Sequence, residues 1–81
     1  MQQTLTQIRA DLEKALPPLI AREAIAKYTG NLYSSKTMSV YDSIGKGIPN
    51  PVRLGRKIAY TKENLINWLI SRLEETGYDK A

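Results

Sequence analysis

Two consecutive prolines, Pro17 and Pro18, restrict the fold of this chain more than any other feature. Proline lacks the backbone N–H that a helix needs, and it disfavours helical geometry in the residue before it. Any helix near the start of the chain must therefore end at the prolines. The preceding segment has apolar side chains at helical spacing, at Leu5, Ile8, Leu12, Ala15 and Leu16. The sequence thus predicts an N-terminal amphipathic helix and a Pro-Pro turn over residues 1–18.

Two further short helices are predicted after the prolines. Apolar residues recur at helical spacing over residues 21–28 until Thr29 and Gly30 stop them, which predicts a helix over residues 22–28. A loop over residues 31–34 follows. A third helix then begins at an N-cap, either Ser34 or Ser35, and runs to about Ile44 before glycines end it. We expect Met38, Tyr41 and Gly45 to face the core from this third helix.

A hairpin and a last helix complete the predicted elements. Apolar and polar residues alternate over residues 52–54 and 58–60, on either side of the basic tip Gly55, Arg56 and Lys57. Thr61 is the expected N-cap of a helix that runs to about Glu75. Its predicted inner face contains Leu65, Trp68, Leu69, Arg72 and Leu73, which favours a core position for Trp68 over base stacking. Residues 77–81 are predicted to form a frayed tail.

The composition excludes most enzyme classes. The chain has no cysteine and no histidine, so thiolate chemistry, disulfides and the commonest general base and metal ligand are missing. Its eight carboxylates form no evident catalytic pair. We therefore expect no enzymatic activity and no cofactor. Eighty-one residues make one domain, and the absence of a long apolar segment or a signal-like start leads us to expect a cytoplasmic protein.

Positive charge is concentrated in the middle of the chain. Residues 19–72 contain nine basic and three acidic residues, a net charge of +6, whereas the residues before them are neutral and those after them acidic. A basic centre indicates a polyanionic partner. An ordinary solvated basic surface is the alternative.

The order of predicted elements is typical of a winged helix-turn-helix: a mainly α fold with a small β-hairpin, here with an additional N-terminal helix. In such a fold the third helix enters the major groove and the hairpin reaches phosphates or the minor groove of double-stranded DNA. Asp42 would be unfavourable near phosphates and is expected to point away from DNA or to form a surface ion pair. The candidate DNA-binding residues are Ser35, Lys36, Ser39, Val40, Ser43, Lys46, Arg53, Arg56 and Lys57.

The residues also resemble a known family, the MerR-like winged helices of phage excisionases and AlpA-like prophage regulators. The resemblance covers residues 19–69, about two thirds of the chain. It rests on the order and spacing of short elements rather than on any single one. These elements are LIAREAIA at 19–26, Gly30, SKTM at 35–38, Tyr41, GKG at 45–47, Pro49, RLGRK at 53–57, Tyr60 and NLINWL at 64–69.

This resemblance implies a winged helix-turn-helix domain over residues 19–76. In that fold the hairpin is the wing, and Arg56 and Lys57 at its tip contact the duplex. It also implies a place beside an integrase or recombinase, or in gene control of a prophage or mobile element, with no bond cleavage. The loop over residues 31–34 is longer than the usual tight turn of the family. Val40 and Ile44 stand where the family often has polar or basic residues.

Two other functions fit the same sequence. A packaging adaptor similar to a phage terminase small subunit would bind DNA through the same face but depend on oligomerisation. A protein-interaction module would instead use the apolar residues of the first helix together with Val40 and Ile44. The Leu5 to Leu16 helix has two open uses, because it can cover the core of its own chain or form a homodimer seam.

Overall fold

A computed structural model of the chain describes residues 4–75, so the tail expected at residues 77–81 lies outside the described residues. The described chain is a small α+β domain with four helices and one antiparallel sheet of three strands. The helices are α1 (Leu5–Ala15), α2 (Ile25–Tyr28), α3 (Ser35–Ser43) and α4 (Lys62–Glu75). The strands are β1 (Leu19–Ala21), β2 (Val52–Leu54) and β3 (Lys57–Thr61).

Helix α1 has the bounds that its caps and the prolines dictate. The Thr4 side chain accepts a hydrogen bond from the backbone N–H of Gln7, and Leu16 ends the helix in an extended conformation. The apolar side packs against α4 and the core, with Leu16 buried and Leu5, Ile8 and Leu12 half-buried. In this chain α1 thus covers the core, which is one of the two uses that the sequence leaves open.

The sheet is larger than the predicted hairpin. Residues 19–21 form β1, an edge strand that pairs with β3, so that the strand order is β1-β3-β2. The predicted hairpin is present, with Arg53 opposite Ile58, but its turn is only Gly55 and Arg56, because Lys57 already pairs with Leu54 as the first residue of β3. Strand β1 places the side chain of Ile20 in the core.

The second predicted helix is only partly α-helical. Residues Arg22–Ala24 form a 3-10 turn that leads into α2. Helix α2 ends with Gly30 at a φ of 62° and with the Asn31 N–H donating to the carbonyl of Ala26 at 2.7 Å. That bond spans the last turn as in a Schellman motif, which requires a left-handed residue such as glycine.

Helix α3 begins and ends with well-formed caps. Ser34 is the N-cap, since its hydroxyl accepts from the backbone N–H of Thr37 at 3.1 Å. At the other end the Lys46 N–H donates to the carbonyl of Tyr41 at 2.9 Å, and Gly45 has a φ of 76°. Gly45 is exposed, so the expectation that it faces the core was wrong. The left-handed backbone that ends the helix turns Gly45 outward, whereas Met38 is buried and Tyr41 half-buried as expected.

One apolar core receives side chains from the four helices and from strands β1 and β3. Helix α4 buries a wider face than the sequence indicated, because Ile66 and Ile70 are buried together with Leu65 and Trp68. The indole N–H of Trp68 donates to the carbonyl of Lys46 at 3.2 Å, which agrees with a core position for this residue. The fold is compatible with a winged helix. No helix within residues 4–75 is long and apolar enough to cross a membrane.

Candidate nucleic-acid interface

The outer face of α3 is a row of small polar side chains flanked by one cation and one aliphatic residue. The buried Met38 fixes which side of the helix faces inward. Because a helix turns about 100° per residue, Lys36, Val40 and Ser43 lie on the side opposite Met38, Ser39 lies at the flank, and Ser35 in the first turn lies nearer the side of Met38. All five of these candidate residues are exposed.

The hairpin of β2 and β3, which we call the wing, is tight and carries cations at and beside its turn. Strands β2 and β3 are joined by the two residues Gly55 and Arg56. Gly55 has a φ of 63°, whereas the φ of Arg56 is not positive. A positive φ at the first turn position is typical of a type II′ turn, which favours glycine there. The exposed side chains of Arg53, Arg56 and Lys57 therefore extend from a short and well-defined hairpin.

The structure brings the start of α3 and the wing together in one groove of about 340 Å³. We call this the α3–wing groove. Of the nine candidate DNA-binding residues, five line it: Ser35, Lys36, Ser39, Arg56 and Lys57. The remaining lining residues are Arg22, Glu23 and Ile58. Three separate segments of the sequence thus meet at one surface.

The other four candidates lie outside this groove. Val40 and Ser43 continue the exposed face of α3, and Arg53 lies on β2. Lys46 directly follows the helix, where its backbone N–H and carbonyl bond to Tyr41 and Trp68. These bonds fix the backbone of Lys46, while its side chain is exposed.

A hydrogen-bonded triad of Arg22, Asp42 and Tyr60 holds α3 against the sheet. The Tyr60 hydroxyl donates to the carboxylate of Asp42 at 2.6 Å and accepts from Nε of Arg22 at 3.0 Å. The Arg22 guanidinium also forms an ion pair with Asp42. The Asp42 carboxylate therefore points toward Tyr60 and Arg22 of its own chain. The ion pair is half-buried instead of lying on the open surface.

The triad changes the ionisation of its members. The hydrogen bond between Arg22 and Tyr60 is the main cause that raises the pKa of Arg22, and the bond between Arg22 and Asp42 acts in the same direction. Burial is the main cause that raises the pKa of Tyr60. Arg22 and Tyr60 are functional candidates that sequence reasoning missed. They lie 20 and 18 positions from Asp42, and no local pattern predicts that the three meet.

Gly47 is needed beside this triad. A Cβ atom at Gly47 would lie 2.0 Å from the carboxylate oxygen Oδ1 of Asp42, a distance that atoms cannot adopt. The absence of a side chain at Gly47 therefore lets the segment after α3 pass close to the Asp42 carboxylate. The glycine at this position acts on the site through Asp42.

An ion pair crosses the α3–wing groove. Nζ of Lys57 lies 2.5 Å from Oε1 of Glu23, and about two thirds of each side chain is exposed to solvent. Lys36 and Arg56 form no ion pair with any of residues 4–75. Two of the four groove cations thus have carboxylate partners, and two are free to bind an external anion.

A second, apolar groove lies on another side of the domain, between α1, the loop after α2, and α4. It has a volume of about 360 Å³. Its apolar lining comes mainly from Ile8, Leu12, Tyr28, Leu32, Tyr33, Leu69 and Leu73. Arg72 also lines it, stacked over the rings of Tyr41 and Trp68. Within residues 4–75 no three acidic side chains are grouped as metal ligands.

The fold and this interface define a class: a small α+β domain with a basic groove between a helix and a hairpin. Comparison of the chain with family models, with curated proteins and with solved structures gave no significant match.

Proposed function

We propose that this chain binds double-stranded DNA as a MerR-like winged helix-turn-helix protein, acting as an excisionase or an AlpA-like regulator of a prophage or mobile element. One observation supports the proposal above all others. The exposed start of α3 and the cationic turn of the wing line the same groove. This is the juxtaposition that simultaneous contact with bases and phosphates requires.

In this proposal the outer face of α3 lies in the major groove. Lys36 contacts guanine or a phosphate near the start of the helix, and Val40 packs on a thymine methyl group. Serine hydroxyls both donate and accept, so Ser35, Ser39 and Ser43 discriminate weakly between bases. Base readout by α3 is therefore modest, and much of the affinity comes from phosphates.

The wing supplies the phosphate contacts. Arg56 and Lys57 reach the backbone or a narrow minor groove, where the potential is most negative, with Arg53 and Lys46 at the edge of the contact. Phosphate contacts fix the orientation of α3 on the duplex. The chain would deform DNA and recruit an integrase or recombinase without cutting any bond, as the resemblance to excisionases implies.

The first test is a fluorescence anisotropy titration on random and candidate attachment-site duplexes at about 50 and 200 mM salt. If about four to six phosphates are neutralised, the plot of log affinity against log salt has a slope of about −4 to −5. The variant Arg56→Ala/Lys57→Ala should flatten that slope by up to about two units and weaken binding to all sequences alike.

The matched control is Arg9→Ala/Lys14→Ala, which removes the same two residue types from α1, outside the α3–wing groove. It lowers the net charge equally, so the two variants separate a local contact from the overall charge. Equal slopes for the two variants would contradict the wing assignment. No binding by the unaltered protein at low salt would refute DNA binding altogether.

The apolar groove beside α1 supports a second candidate, a protein-interaction module. Leu32 at its edge is 79% exposed, more than any other large apolar residue within residues 4–75. A homodimer through α1, or a packaging adaptor similar to a terminase small subunit, would also need such a surface. In each of these cases Leu32→Ser would weaken self-association or partner binding. Analytical ultracentrifugation of the unaltered protein and of Leu32→Ser, with and without DNA, tests this expectation.

A further inference from the structure

Glu23 is an acidic residue in a proposed DNA-binding groove whose other charged residues are all basic. Among the described residues that line the α3–wing groove there are four cations and this single carboxylate. A carboxylate beside DNA phosphates is repelled by them. Its presence there calls for a physical role, and its contact with Lys57 indicates which one.

The ion pair of Glu23 and Lys57 can be broken at little cost, so that another anion can take the place of Glu23. Both side chains are about two thirds exposed, and exposed ion pairs of this kind contribute little to stability. A DNA phosphate can therefore replace the carboxylate as the partner of Lys57. Arg22, on the same 3-10 turn, differs because Asp42 and the buried Tyr60 hold its guanidinium from the protein side.

We propose that Glu23 competes with DNA phosphate for Lys57 and thereby lowers the affinity of the wing for duplexes of any sequence. This inference rests on the proposed DNA-binding function, and it adds a residue that tunes that function. Glu23 is a positioning residue here, because it acts through Lys57 and makes no contact with DNA. Restraining phosphate affinity matters for a protein with weak base readout, since non-specific sites compete with the target.

Two mechanisms could raise DNA affinity when Glu23 loses its charge, and they make different predictions. If the carboxylate occupies Lys57, the gain from Glu23→Gln requires Lys57. If it only repels phosphates at a distance, the gain is the same with or without Lys57. A double-mutant cycle on these two residues separates the two cases.

The experiment measures the Kd of a fluorescein-labelled random-sequence duplex at about 50 and 200 mM salt. It uses the unaltered protein, Glu23→Gln, Lys57→Ala and the double variant. Glu74→Gln is the matched control, since it makes the same change of charge at an exposed position of α4 outside the groove. Far-UV circular dichroism confirms that all five proteins are folded.

We expect Glu23→Gln to tighten binding about two- to fivefold at the lower salt concentration, the range that corresponds to an exposed ion pair. The salt slope should steepen by up to about 0.9, one additional phosphate contact. Neither change should occur in Glu74→Gln or when Lys57 is already alanine.

Three results would overturn the inference while leaving DNA binding itself in place. These are an unchanged affinity in Glu23→Gln, an equal gain with and without Lys57, and a loss of affinity. A loss would mean that the carboxylate itself contacts DNA, for example a cytosine amino group. The failure of every protein in the series to bind at the lower salt concentration would instead refute the proposed function.

Discussion

The hydroxyl group of Tyr60 joins three segments of the chain, because it bonds to Asp42 of α3 and to Arg22 of the 3-10 turn from its own place on β3. Tyr60 is fully buried. Tyr60→Phe removes the hydroxyl and leaves the Asp42 carboxylate with one fewer donor. Hydrogen bonds to charged groups contribute about 1.5–3 kcal/mol, so we expect a loss of that order in the free energy of unfolding near neutral pH.

The same residue gives the fold a dependence on alkaline pH. Burial raises the pKa of Tyr60 above its ordinary value of about 10, so the folded state holds the proton more tightly than the unfolded state does. The resulting stability is fully present below the unfolded pKa and is lost as pH rises through the folded value. Urea midpoints should therefore fall above about pH 10 more steeply for the unaltered protein than for Tyr60→Phe. Tyr28→Phe, which leaves the triad intact, serves as the control and should follow the unaltered protein.

Gly47→Ala is expected to destabilise the protein through Asp42. The new methyl group would lie 2.0 Å from Oδ1 of Asp42, and Arg22 and Tyr60 hold that carboxylate in place. Forcing a methyl group into a packed site costs about 1–3 kcal/mol. Urea unfolding of Gly47→Ala in the unaltered and Asp42→Ala backgrounds tests this. The cost should shrink when the carboxylate is absent, and a cost that is equal in both backgrounds would contradict it.

At the scale of whole elements, two neighbouring serines at the start of α3 should behave differently. The Ser34 hydroxyl accepts from the backbone N–H of Thr37, whereas Ser35 lies inside the first turn with its side chain exposed. Replacing an N-cap serine with alanine costs about 0.5–2 kcal/mol. We expect that loss in urea unfolding of Ser34→Ala and almost none in Ser35→Ala. Similar losses in both variants would mean that the cap is shared.

Elements with local signals could be predicted from the sequence, and elements that depend on distant partners could not. The apolar spacing and the prolines predicted α1, whereas its N-cap Thr4 was found only in the structure. Helix α4 begins after Thr61 and ends at Glu75, close to the predicted limits. Strand β1 is only three residues long, which is too short to show alternation, and it exists because β3 pairs with it some forty positions later.

The candidate site follows the same division. Exposure of the α3 serines and of the wing cations follows from helix periodicity and from the Gly55 turn, both local properties. The contacts around those residues are long-range: the partner of Lys57, Glu23, lies 34 positions away, and in the neighbouring triad Arg22 lies 38 positions from Tyr60. Charge alone marked Lys57 as free to bind DNA, and only the packing of the 3-10 turn against β3 shows that a carboxylate is already beside it.

At the scale of the whole molecule, the proposed DNA contact and the stabilising contact between α1 and α4 lie on separate surfaces. The α3–wing groove contains no residue of α1, and α1 packs along α4. A change in the contact between α1 and α4 should therefore alter stability without altering DNA affinity. This separation also gives a way to decide between the two uses of α1.

Leu12→Ala tests that choice. Leu12 is half-buried against the core, so its truncation should cost about 1–2 kcal/mol of unfolding free energy, below the range for fully buried leucines. Affinity for a random duplex should not change, and Lys14→Ala on the exposed side of α1 should alter neither quantity.

If α1 only covers its own core, the loss is the same at every protein concentration. If α1 is also a homodimer seam, the unfolding midpoint of the unaltered protein rises with concentration by mass action and Leu12→Ala reduces that dependence. Because α1 already faces α4 within one chain, we expect midpoints that do not depend on concentration.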